Sequence, residues 1–470
     1  MHLIKQILLL FFGCLFCVSC DQTSKDGCGN AWIGGEVVNP KRDYVILSKS
    51  RDIIDTVFLN DKNFFIYQME QVDPGIYFFS HNEYQALFIE PGDSIMLRVN
   101  TLEFDESLSF TGKGADKNNF MMEMFLLNEQ ENELMPKFNL LSPSEFEMKM
   151  DSFEMNRKEI YEHFMTKKAP SDRFKVIANA ATDYAIYSKK ELYISANARK
   201  KIYNENVEIP DDFYNFRNKV DLGNEQLRSY YPYYRYLGYY MDNLAFESYK
   251  DRASYDRTSF LHNYHKSSLI DSLVTNEYLK NNLLRTTAHR YFLHAGTETE
   301  GKAMLAHFLK LSTNPDDHKK ISEFANATIK LTPGHTIPNV MLLTTDNTVK
   351  DLHSVFNQPT VLYFWSNQSI KHYKNIHTRA SELRSKYPEY DFVGINIDTH
   401  FKKWLKVIKN SGYDDMTEYQ FDNFDEAEMT LIIDSVNKAM IVDGDGTILN
   451  GNTNIFDLSI EQELLGYINK

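Results

Sequence analysis

The stretch that most constrains the fold is Thr360 to His372, TVLYFWSNQSIKH. Thr360 to Trp365 is β-branched, apolar and aromatic with no polar alternation, the pattern of a short strand covered on both faces. Ser369 is then placed to cap the open N–H groups of a helix. That helix is carried to Lys386 by Ile370, Tyr373, Ile376, Ala380 and Leu383 at helical spacings, and Pro388 closes it. The segment is therefore a strand-to-helix junction.

On these residues, Thr360 to Asp398 resembles the first βαβ unit of the thioredoxin-like proteins of the TlpA/ResA type. In that family a strand ending in Phe-Trp and a short turn lead to Cys-x-x-Cys on the first helical turn. Phe364 and Trp365 match, whereas Ser369 and His372 stand where the two cysteines would be. In the intact motif the helix N-terminus stabilises a thiolate and the second thiol resolves the mixed disulfide. A serine hydroxyl does not ionise there at neutral pH and an imidazole has no sulfur to attack, so thiol–disulfide exchange is excluded at this site. The four cysteines lie at 14, 17, 20 and 28, and residues 29–470 contain none.

A second departure lies further on. The family places a cis-proline opposite the cysteine pair, just before a strand of the form Thr-x-Phe-Leu-Ile-Asp. Val436 to Asp443 is the matching segment, and Asn437 takes the place of the proline. A cis bond before a non-proline residue costs about 3 kcal/mol, so a trans peptide is expected. Trp365, Gln368, Ser369, His372 and Asn437 are the expected vestigial site positions, clustered at the junction, and none is assigned a catalytic role. A different chemistry, with Ser369 as nucleophile and His372 as base, lacks a third group to orient the histidine and a glycine-framed elbow.

The rest of the chain fits a multidomain α+β protein. Residues 31–115 read as a small β-sandwich, with strands near 32–38, 44–48, 54–59, 63–69, 75–80, 85–89, 94–99 and 108–111 separated by turns such as Pro91-Gly92-Asp93. The order of these elements is similar to a domain of unknown function found ahead of TlpA-like domains in lipoproteins of Bacteroidetes. Residues 116–331 read as an irregular helical domain of eight amphipathic segments, one of them spanning 224–248. Within it, Tyr230 to Tyr240 holds seven tyrosines in eleven residues. An aromatic stripe at helical spacing reads first as core, and second as a peptide or glycan surface. His262 and His265, like His289 and His294, lack carboxylate or cysteine partners at ligand spacing and read as solvated or capping residues, so no metal is assigned. Residues 332–470 form the C-terminal thioredoxin-like α/β domain, with strands at 392–398, 438–442 and 447–450, helices at 400–411, 427–433 and 459–468, and a hairpin turn at Asp443-Gly-Asp-Gly446.

The N-terminus supplies an address. Lys5 precedes an apolar run from Ile7 to Val18, too short to span a membrane, and Val18-Ser19-Cys20 follows. This resembles a bacterial lipoprotein signal over residues 1–19, which implies lipidation of Cys20 and a tether over residues 20–30. The expected location is the cell envelope, anchored at the outer membrane with the protein on its periplasmic or surface face. A formal charge of −14 opposes non-specific nucleic-acid binding. The expectation is a non-enzymatic, redox-inactive envelope lipoprotein without cofactor, whose partners are the membrane through its anchor and an envelope protein or peptide. Non-thiol chemistry at Ser369 and His372, and glycan or nutrient binding, are the alternatives.

Overall fold

The computed structural model describes residues 29–200, 208–294, 296–413 and 417–469. The signal, Cys20 and Cys28 lie outside the described residues. The chain divides into two compact units: Met1–Asn197 with Val207–Val220 and Asn224–Tyr236, and Ala198–Asn206 with Asp221–Gly223 and Leu237–Lys470.

The first unit begins with eight strands, β1 (Gly29–Val38), β2 (Tyr44–Lys49), β3 (Asp52–Phe58), β4 (Phe64–Val72), β5 (Gly75–His81), β6 (Glu83–Ile89), β7 (Ser94–Asn100) and β8 (Ser109–Lys113). They form two four-stranded sheets ordered β4-β1-β7-β8 and β3-β2-β5-β6. Alternate residues such as Ile33, Val45, Phe65, Phe79, Leu87 and Leu97 fill the core, as the period of 2 requires. Three long helices follow: α1 (Ala115–Phe138), α2 (Pro143–Lys168) and α3 (Asp172–Lys200). Helix α2 starts from a capping box, Ser142 accepting from the Glu145 N–H while Glu145 reaches back to the Ser142 N–H. A 3₁₀ segment at Asp211–Lys219, unforeseen in the sequence, buries Phe213 and Phe216.

The tyrosine-rich stretch opens α4 (Tyr231–Glu247), seven residues later than the spacing predicts because Asn224 instead accepts N–H bonds from Gln226 and Leu227 in a turn. Tyr230, Tyr233 and Tyr236 are buried, and Tyr184 packs against the last two with ring centroids at 4.9 and 5.3 Å. One side of the stripe is core, whereas Tyr234, Tyr239 and Tyr240 are half-buried and Tyr231 is exposed.

The second unit contains α5 (Phe260–Leu273), α6 (Glu277–Leu293), α7 (Glu298–Leu311) and α8 (Pro315–Ile329). Here His262 corrects the solvated or capping expectation. It is fully buried, with Nδ1 at 2.9 Å from the Tyr249 hydroxyl and Nε2 at 3.1 Å from Asp242. Asp242 also pairs with Lys266 at 2.5 Å and Arg257 at 2.6 Å. Burial works to raise its pKa, but Lys266, His262 and Arg257 outweigh burial and hold it well below the usual carboxylate range.

The C-terminal domain is built on a seven-stranded mixed sheet ordered β10-β9-β13-β12-β11-β14-β15. Its strands are β9 (Met341–Leu343), β10 (Val349–Asp351), β11 (Thr360–Trp365), β12 (Asp391–Asn396), β13 (Glu418–Phe421), β14 (Lys438–Val442) and β15 (Ile448–Asn454). Helices α9 (Ile370–Lys386), α10 (Phe401–Ser411), α11 (Phe424–Leu431) and α12 (Ser459–Ile468) accompany them. Strand β11 is central, parallel to β12 and antiparallel to β14. Every residue of β11 is buried: Leu362 and Phe364 face one core, Val361, Tyr363 and Trp365 the other. The turn 443–446 closes the β14–β15 hairpin, the Gly446 N–H donating to the Asp443 carbonyl at 2.9 Å with Gly446 at φ 82°. Strand β13 has no counterpart in the sequence reading. Ile370, counted there in the buried stripe, is 62 % exposed, because it is the first residue of α9 and precedes the turn that packs on the sheet.

Candidate functional site

The buried strand β11 delivers its C-terminal end to the surface, where α9 begins. Ser369 caps α9, its Oγ accepting from the His372 N–H at 3.3 Å. Its hydroxyl meets the backbone of His372, whereas the His372 imidazole points away across the junction. There Nε2 lies 2.8 Å from Oδ1 of Asn437, the residue just before β14. His372 is half-buried. Gln368 is exposed, its N–H bonded to Ser366 Oγ at 3.1 Å. The structure thus brings Gln368, Ser369, His372 and Asn437 together. No peptide bond among the described residues is cis, the one before Asn437 included.

The turn between strand and helix is pinned by Asp398, just beyond β12. Its carboxylate accepts from Ser366 Oγ at 2.7 Å, the Asn367 N–H at 2.5 Å and Asn396 Nδ2 at 3.2 Å. Beside this turn lies a cavity of about 600 Å³, lined by Asn367, Gln368, Asp398, His400, Lys403 and Phe424 among others. The Asn367 amide has both polar atoms buried without a hydrogen-bond partner.

Trp365 belongs to a different layer. It is fully buried, and its indole N–H donates to Glu418 Oε2 at 3.0 Å. Oε1 of the same carboxylate accepts from the Tyr363 hydroxyl at 2.9 Å and lies 3.1 Å from His377 Nε2. Burial, then the charge of Glu418, pushes the Tyr363 phenol well above its ordinary pKa, so it stays a donor. His377 Nδ1 is 2.7 Å from the Tyr373 carbonyl, which can only accept. Nδ1 therefore carries a hydrogen. His377 also stacks on Tyr413 at 3.8 Å. Gly394 makes room for this group: a Cβ there would fall 2.4 Å from Glu418 Oε1.

Glu418 and His377 were missed in the sequence. Glu418-Tyr-Gln-Phe421 alternates like a strand with one solvated face, which conceals that all four residues are buried. Among the described residues no group of three or more His, Cys, Asp or Glu is placed to hold a metal ion, and His289 stacks on Phe324 at 4.3 Å. No described helix is long and apolar enough to cross a membrane.

Residues 357–448 match a family model described as thioredoxin-like. Among solved structures, the C-terminal region is similar to a provisionally assigned thiol-disulfide oxidoreductase of Bacteroides vulgatus, at 19 % identity and a TM-score of 0.26, covering 29 % of this chain and 97 % of that one. It is also similar to the C-terminal domain of a provisionally assigned thiol-disulfide oxidoreductase of Bacteroides thetaiotaomicron, at 18 % identity and a TM-score of 0.25, covering 30 % and 98 %. A thiol:disulfide interchange protein from Bacteroides sp. is similar at 15 % identity and a TM-score of 0.22, covering 26 % and 81 %. No curated protein matches the chain.

Proposed function

We propose that the C-terminal thioredoxin-like domain is a binding module without thiol chemistry, which takes up a protein or peptide of the cell envelope on a chain held to the membrane through a lipid on Cys20. The observation that carries this reading is the 2.8 Å contact between His372 and Asn437. At the junction where the resembled motif has two cysteines facing a proline, the side chains engage each other and the helix cap, and residues 29–470 contain no cysteine. Ser369 and His372 do not form a nucleophile–base pair, since the hydroxyl meets the backbone and the imidazole meets an amide. The adjoining cavity, lined by Gln368, Asp398, His400 and Lys403 among others, suits an extended segment that supplies its own N–H and C=O groups.

Crosslinking in intact envelopes tests the proposal. The wild-type chain should be recovered in the membrane fraction with a bound protein or peptide, and should not speed the reduction of insulin by dithiothreitol. The Gln368→Ala, His372→Ala double variant should remain folded and lose most of that capture, and Cys20→Ala should leave an unprocessed or non-lipidated precursor. Undiminished capture by the folded double variant would place binding elsewhere. A Cys20→Ala chain that is still processed and partitions with membranes unchanged would end the anchor reading.

A further inference from the structure

The first unit contains a second cavity, of about 350 Å³. Its wall is mostly apolar, with Met121, Met124 and Phe125 from α1, Tyr184 and Leu192 from α3, and Tyr230. Into this apolar lining come two cationic side chains, Lys189 and Arg235. Lys189 is 1 % exposed, and its Nζ donates to Asn128 Oδ1 at 2.6 Å and pairs with Glu131 Oε2 at 3.0 Å. That carboxylate is already engaged: Arg157, fully buried, holds it through Nε at 3.0 Å and Nη2 at 2.8 Å. One buried carboxylate therefore balances two buried cations. The acidic side chain lining the cavity among the described residues, Glu129, is exposed to solvent.

Uncompensated charge in an apolar enclosure is costly. Its signature is visible at Lys189: burial, helped by the charges of Arg157 and Arg235 and only partly offset by Glu131, brings the amine down to about 8. A neutral apolar guest would fill the space without relieving this excess. A polyanion such as a nucleotide would meet too little polar surface. The volume is at the lower end for small-molecule sites.

We propose that this cavity binds a small amphipathic carboxylate, with its apolar body among Met121, Met124, Phe125 and Tyr184 and its head drawn to Lys189 and Arg235. The site is independent of the junction in the C-terminal domain, so either reading can fail without the other.

Titration calorimetry of the full chain with decanoate and with decanol, in detergent-free buffer, tests it. Decanoate should bind one to one, and decanol, with the same chain and no charge, at least tenfold more weakly. Binding should be accompanied by net proton uptake near pH 8, because an anion beside Lys189 favours its charged form. Arg235→Gln should weaken decanoate at least fivefold, and Leu192→Trp, which fills the cavity, should abolish binding. Decanol binding as tightly as decanoate overturns the proposal with no variant needed. Unchanged decanoate affinity in both folded variants also overturns it, and the Gln368→Ala, His372→Ala variant should bind decanoate as the wild type does.

Discussion

The surface of the strand-to-helix junction and the layer just beneath it are built on opposite terms. At the surface, Gln368 and Ser369 are exposed and His372 is half-buried, held by one helix cap and one contact to Asn437. Beneath, the Glu418 carboxylate is 2 % exposed and is met by Tyr363, Trp365 and His377 at 2.9 to 3.1 Å. The lower layer ties β11, α9 and β13 together, whereas removing a surface side chain leaves little that water cannot satisfy. A junction supported from below can vary its surface side chains while the fold stays.

The most severe way to break this contrast is Glu418→Ala. It strips three buried donors of their acceptor, and loss of one member of such a buried set costs about 3–5 kcal/mol. Urea denaturation should register that loss, and a change below about 1 kcal/mol would mean that the lower layer does not support the junction.

The contrast also follows what the sequence makes legible. The eight strands of the first unit and the helix cap at Ser369 rest on local patterns, turn residues and alternation, which short windows contain. The meeting of His372 with Asn437 was expected only through a resemblance that aligned the two segments. Glu418 had no such guide: its partners Tyr363 and His377 lie 55 and 41 residues away in the chain, and a lone glutamate in a four-residue strand carries no sign of burial. Arg157, Glu131 and Lys189 escaped notice for the same reason, because charged residues on amphipathic helices read as solvated until the partner helix is known.

An intermediate effect is expected at Lys438, the buried neighbour of half-buried Asn437. Its amine donates to the carbonyls of Leu431 and Ile432 at 2.9 and 2.7 Å, and burial, only partly offset by Asp434, lowers its pKa to about 8. Below pH 8 the lysine is charged in both folded and unfolded chains. Between about 8 and its ordinary value near 10.4 the unfolded chain holds more protons, so folding stability rises with pH through that window. The rise attributable to Lys438 should be on the order of 1–3 kcal/mol. It is measured as the wild-type change in unfolding free energy from pH 7.5 to 9.5 minus that of Lys438→Met, a difference that cancels the parallel titration of Lys189. Identical pH profiles would show that Lys438 reaches solvent.

The smallest effect belongs to the surface pair. His372 and Asn437 share one hydrogen bond between half-buried groups, and each side chain can turn to water when its partner is removed. The expected coupling is about 0.5–1 kcal/mol, the net worth of an ordinary hydrogen bond without a stranded buried group. A double-mutant cycle with His372→Ala, Asn437→Ala and the combined variant isolates this term, because each single change removes the contact without adding one. The value separates the two layers. A coupling near 0.5 kcal/mol describes a latch that an incoming peptide can open at little cost, freeing His372 Nε2 and the Asn437 amide for its backbone. A coupling above about 2 kcal/mol would instead make the junction as rigid as the layer around Glu418, and a bound segment would then have to rely on the cavity beside Asn367 alone.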